Sequence, residues 1–125
     1  YISPNAICFE TAELGENILL CDKVFVGHGC IIGDGVILSV GCTLSHENIV
    51  EKYSFISSCV AFGGHAKVQN NCFVGLHSTV RDGVVIGAYS IVGAGTNVIR
   101  SAPAHSVTIG NPGISKIKDT ENTSI

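Results

Sequence analysis

Residues 74–98 read "VGLHSTVRDGVVIGAYSIVGAGTNV", and every sixth residue of this stretch, Val74, Val80, Ile86, Val92 and Val98, is a β-branched aliphatic. A period of six matches neither the 3.6 of a helix nor the 2 of a plain strand. Stepping backwards by six reaches Ile2 through Val68, Phe62, Ile56, Val50, Leu44, Leu38, Ile32, Val26, Leu20, Leu14 and Cys8 without one polar residue or insertion. The fifth position of each hexad is also small or β-branched, as at Ala6, Ala12, Ile18, Val24, Cys30, Val36 and Cys42, with Asn48 the main exception. The second position is often glycine, as at Gly15, Gly27, Gly33, Gly63, Gly75, Gly87 and Gly93. Such a unit predicts short strands separated by tight corners, with glycine relieving the corner backbone. Three hexads make one triangular coil, so the chain predicts about six coils stacked at about 4.8 Å.

The composition suits this interior. The chain has 125 residues and is 46% hydrophobic but only 6% aromatic, with no Trp and no Met. A thin column of Val, Ile, Leu, Cys and Ala has no room for aromatic bulk. The net charge of −3, with no basic run, argues against nucleic acid or an anionic membrane surface as a partner. No stretch reaches the roughly 20 apolar residues of a membrane span, and no signal segment opens the chain. The six cysteines include no C-x-x-C pair, and Cys30, Cys42 and Cys72 occupy a repeated apolar position. They read as buried reduced thiols of a cytoplasmic protein rather than a disulfide scaffold. Asn122-Thr123-Ser124 matches a glycosylation sequon without meaning in that setting.

With eighteen residues per coil, residues n and n+18 stack. One column then reads Glu10, His28, His46, Gly64, Asp82, Arg100, and its neighbour reads Thr11, Gly29, Glu47, His65, Gly83, Ser101. Three histidines and a glutamate gather on one edge, at hexad positions that point away from the interior. Gly64 stacks on His46, and a glycine beside a candidate base leaves a backbone N–H uncovered that can stabilise an oxyanion. Asp82 and Arg100 read as a surface ion pair worth little.

The hexads, with "IGDGV", "IGAYSIVGAGTNV" and the closing "IGNPG", resemble the hexapeptide-repeat acyltransferases over residues 1–113. The resemblance implies an all-β fold, a left-handed parallel β-helix, although general crossover rules favour the other hand. It places the β-helix domain at residues 1–109 and a C-terminal turn and tail at 110–125, and it implies a homotrimer. "LSHENIVEKYSFIS…AFGGHAKV" is similar to the branch of sialic acid O-acetyltransferases and bacillosamine-pathway sugar N-acetyltransferases. By that likeness His46 is the general base, Glu47 orients it, and the Gly64 N–H receives the oxyanion. His28 and His65 are expected to contact the acceptor. Acetyl-CoA, the co-substrate, is expected along Gly75, Leu76, Gly93, Ala94 and Gly95, in a groove between subunits, with Lys116 and Lys118 near its phosphates.

Two departures stand out. Relatives often carry a second histidine nine residues after the base, where this chain has Phe55. They also usually carry an N-terminal nucleotide-sugar domain that these residues do not include. The expected activity is acetyl transfer to an amine or hydroxyl of a sugar, nucleotide-linked, in surface-polysaccharide synthesis. The alternatives are a non-sugar acceptor such as serine, or a non-catalytic structural β-helix. No metal is expected. The related zinc-dependent β-helices pair histidines as H-x4-H, and here five residues after His28 and His46 stand Gly33 and Glu51.

Overall fold

A computed structural model describes residues 1–121. Among the described residues there is no helix. The chain winds as a parallel β-helix with three faces. The first face stacks Ile7–Cys8, Phe25–His28, Thr43–His46, Ala61–Phe62, Thr79–Val80 and Asn97–Val98. The second stacks Glu13–Leu14, Ile31–Ile32, Ile49–Val50, Lys67–Val68 and Val85–Ile86. The third stacks Leu19–Leu20, Ile37–Leu38, Phe55–Ile56, Phe73–Val74, Ile91–Val92 and Ser106–Gly110, and Gly113–Ile117 closes it as an antiparallel partner of Ser106–Gly110. The sequon Asn122-Thr123-Ser124 and the end of the tail lie outside the described residues.

The register is eighteen residues, as in Val26↔Leu44, Leu44↔Phe62 and Phe62↔Val80. Each turn of backbone therefore repeats its hydrogen bonds on the next coil. The first hexad position points inward. From Leu20 to Val98 it is buried, and with Val24, Cys30, Val36, Cys42 and Val60 it forms one continuous core. Ile2 and Leu14 are exposed by 45% and 37%, because the first coil has a neighbour on one side only. The six cysteines are free, and Cys30, Cys42 and Cys72 are buried as their positions predict.

The corners differ from expectation in one respect. Every sixth residue from Asn17 to Gly95 has positive φ, and most of these residues are not glycine: Lys23, Glu47, Tyr53, Cys59, His65 and Tyr89 among them. The left-handed turn sits at the fourth hexad position. The second-position glycines serve close approach between coils instead: a Cβ on Gly63 would lie 2.6 Å from the amide nitrogen of Asp82.

The eighteen-residue register ends after Val98. Ile86 pairs with Ala102 and Ile91 with Val107, a spacing of sixteen. The shortening falls between Val98 and Ala102, the segment that carries Arg100. Asp82 lies 3.9 Å from Arg81, so the expected Asp82–Arg100 pair is replaced by one between chain neighbours.

Candidate active site

The edge between the first and second faces carries the polar column. His46 ends the strand Thr43–His46, and Glu47 takes the left-handed corner at φ 52°. The carboxylate therefore folds back beside the ring of its own neighbour. His46 Nδ1 is 3.0 Å from Glu47 Oε1, and His65 Nε2 is 3.7 Å from the same oxygen. The rings of His46 and His65 meet edge to face at 5.3 Å. Both histidines and the glutamate are exposed at the edge. The hydrogen bond from His46, then the charges of the surrounding imidazoles, hold the Glu47 carboxyl below its ordinary pKa. A carboxylate on Nδ1 fixes the ring proton there and leaves Nε2 as the lone-pair nitrogen.

That nitrogen faces Gly64. A Cβ on Gly64 would lie 2.3 Å from both Nε2 and Cε1 of His46. The ring therefore occupies the volume that any other residue's side chain would fill. Nothing among the described residues accepts a hydrogen bond from the Gly64 amide. Other third-position amides, such as those of Asp22 and Asp34, are equally unbonded. A free N–H does not single out Gly64; its contact with the imidazole does.

Asn48, the exception in the hexad pattern, is fully buried behind this pair. Its Nδ2 donates to the carbonyls of Gly63 at 2.8 Å and Ala66 at 3.1 Å, which flank Gly64-His65. The amide clamps the next coil in the place where Gly64 meets His46. Sequence reading passed over it because a polar residue at an inward position looks like a lapse in the repeat. The useful signal was its place directly after His46-Glu47.

His28 pairs with His46 across the first face, so it joins the cluster. The positions expected to meet the coenzyme do not. Gly75, Leu76, Gly93, Ala94 and Gly95 form the edge between the third and first faces, with the Gly95 amide bonded to the Leu76 carbonyl at 2.8 Å. Phe55 lies on the third face, stacked on Phe73 at 5.5 Å, and also away from His46 in the same chain. A groove of about 370 Å³ next to this edge is lined by Val107, Ile109, Gly110, Ile114, Lys116 and Lys118. The Ile109 side chain comes within 3.0 Å of the place a Cβ on Gly93 would take. A larger groove of about 490 Å³ runs along the second face past Ile31, Ile49, Glu51 and Lys52; neither His46 nor His65 lines it.

His46, Glu47 and His65 also place one ligand atom each within 4.8 Å of one another, a donor set that a divalent metal can use. His105 is exposed and stacks on Tyr89 at 5.3 Å.

No protein-family profile matches the chain. Serine acetyltransferase 2 of Arabidopsis thaliana is 30% identical over 109 residues, 81% of this chain and 29% of that protein. The solved structure of PerB from Caulobacter crescentus, in complex with CoA and GDP-perosamine, superposes with a TM-score of 0.90 at 31% identity, covering 92% of this chain and 56% of that one. The relatives of this chain include acetyltransferases of the hexapeptide-repeat family. The acetyltransferase domain of PglB from Neisseria gonorrhoeae shares the hexapeptide-repeat fold at a TM-score of 0.88 and 24% identity, over 90% of this chain and 55% of that one. The chain thus spans about half the length of the solved relatives and less than a third of the serine acetyltransferase. Among the described residues no helix is long and apolar enough to cross a membrane.

Proposed function

We propose that this chain is the catalytic β-helix of an acetyl-CoA-dependent acetyltransferase whose acceptor is an amine or hydroxyl of a sugar, nucleotide-linked. The observation that carries the reading is the His46 ring, held through Nδ1 by Glu47 and laid with Nε2 against Gly64. The likeness to PerB supports a sugar acceptor.

In the reaction, His46 Nε2 takes a proton from the acceptor as its nitrogen or oxygen attacks the acetyl carbonyl. Glu47 stabilises the imidazolium that forms. The Gly64 N–H receives the negative charge on the carbonyl oxygen of the tetrahedral intermediate. Collapse breaks the carbon–sulfur bond, and the departing coenzyme thiolate recovers a proton from His46. His65, within reach of the same carboxylate, lies on the acceptor side. No step calls on a metal, and an ion on His46 would compete with this proton traffic.

His46 and the coenzyme positions sit on different edges of one prism. A thioester lying along Gly75, Leu76 and Gly93–Gly95 meets His46 only if a neighbouring chain presents it. This favours a homotrimer with three interfacial sites, and Lys116 and Lys118 stand near the coenzyme edge for its phosphates. Cytoplasmic synthesis of surface polysaccharide fits such a substrate. The likeness to serine acetyltransferase favours a second reading, transfer to a non-sugar acceptor. Acetyl transfer assayed across nucleotide amino sugars, serine and acetyl-CoA alone tests both. Turnover of a nucleotide amino sugar, lost in His46→Asn, supports the first; preference for serine replaces it with the second; no binding of coenzyme A removes both.

A further inference from the structure

The polar edge holds a second positioned histidine. His28 Nδ1 lies 2.8 Å from the Thr11 hydroxyl one coil earlier. That hydroxyl oxygen already accepts the Gly29 N–H at 3.2 Å. A threonine hydroxyl has one hydrogen to give. With one lone pair taken by an amide, turning the hydrogen to the imidazole nitrogen lets the hydroxyl both accept and donate. His28 then accepts at Nδ1 and carries its ring proton on Nε2. His46 has the opposite arrangement, with Nδ1 facing a carboxylate and Nε2 bare. The two residues pair across neighbouring strands, so their rings rise from positions about 4.8 Å apart. Neither Nε2 has a close hydrogen-bond partner among the described residues.

We propose that Thr11 is a positioning residue that holds the proton of His28 on Nε2, so that a hydrogen-bond donor stands one coil from the lone pair of His46 and the pair selects acceptors bearing a hydroxyl next to the nucleophile. Such a vicinal amino alcohol or diol is the pattern of a sugar ring. The nucleophile gives its proton to His46 while its neighbouring oxygen accepts from His28. The substrate half of this proposal rests on His46 as the base; the proton placement does not.

Long-range proton–nitrogen NMR of histidine-labelled protein, with the rings neutral, reads the tautomers directly. His28 should show the Nε2–H form in wild type and in Thr11→Ser, and lose that fixed form in Thr11→Val. In steady-state assays Thr11→Val should raise the acceptor KM about three- to ten-fold, the worth of one net hydrogen bond, with a smaller effect on kcat. Thr11→Ser should restore it. The wild-type preference for an acceptor over its analogue lacking the adjacent hydroxyl should shrink by the same factor in Thr11→Val. A wild-type His28 with its proton on Nδ1 overturns the proposal. So does an unchanged KM and an unchanged preference in folded Thr11→Val. If the tautomers are as stated but the wild-type protein transfers no acetyl group, the transferase reading and the substrate half fall together, and the proton placement stands.

Discussion

The imidazole of His46 rests on the Cα of Gly64, one coil away, so closely that a methyl group there would fall 2.3 Å from Nε2. Gly64 has no positive φ, so alanine is free to adopt its backbone conformation. The cost of a side chain is steric and falls first on the imidazole, which supplies the three nearest atoms. Gly64→Ala should fold with a melting temperature within a few degrees of wild type. Its kcat should fall on the order of 10²-fold, as expected when a general base is displaced from its working position. Circular dichroism with kinetics on the same preparation checks this. A fully active Gly64→Ala protein would sink the assignment of His46 as the base.

His46 and Glu47 predict a particular pH dependence. The hydrogen bond from His46, and behind it the neighbouring imidazoles, hold the Glu47 carboxyl below its ordinary range. Glu47 therefore stays ionised across the interval of about pH 5–8 in which imidazoles titrate. The fall of kcat/KM with acid should follow one ionisation. His46→Asn should lose roughly 10²–10⁴ in kcat, the usual worth of general base catalysis. Glu47→Gln should lose less, because the carboxamide oxygen still accepts from Nδ1. A fall with the square of the proton concentration in that interval that persists in His28→Asn and His65→Asn would show that the carboxylate titrates together with the base, contrary to its environment.

The hexad was legible because the interior is one residue wide: a polar residue at the first position has no partner, so the chain repeats its apolar choice without a break. Once the register was known, His28, His46, Glu47, Gly64 and His65 followed as neighbours. Three things did not follow. The left-handed corners are carried by residues such as Glu47, Tyr53 and His65, whose types do not announce positive φ. The final coil is shorter than the others, a change that hydrophobic spacing hides because Ala102 and Val107 are themselves apolar. Phe55 follows the base by nine residues in the chain but lies on another face of the prism. Sequence distance alone does not say which edge a residue serves.

Asn48 links scaffold and site. Its Nδ2 satisfies the Gly63 and Ala66 carbonyls, and its Oδ1 accepts from the Cys30 thiol at 3.7 Å. Asn48→Val matches the aliphatic residues at this position in other hexads, such as Val24, Val36 and Val60. It removes one of two donors from each carbonyl, since Gly63 keeps the Ala66 N–H and Ala66 keeps the Ile49 N–H, at about 0.5–1.5 kcal/mol per hydrogen bond lost. The expected result is a fall in the urea midpoint together with lower activity, because the coil bearing Gly64 is then held by its backbone bonds alone. Unchanged stability and activity in Asn48→Val would show that the clamp is not needed.

The thiols give the last prediction. Burial pushes Cys42 up to about 12 and Cys72 up to about 11, against hydrogen bonds that act the other way. In the unfolded chain both ionise near 9. Between that pH and their folded values, the unfolded state releases protons that the folded state keeps. The stability they contribute is present in full below about pH 9 and is lost as the pH climbs toward 11 and 12. Melting temperature should therefore fall steeply on the alkaline side, and less steeply in Cys42→Val. A thiol reagent at pH 8 should label exposed Cys59 quickly and reach Cys42 and Cys72 only when the helix opens. Native-state labelling of Cys42 at the rate of Cys59 would mean that the coils around it separate far more readily than their unbroken core and register allow.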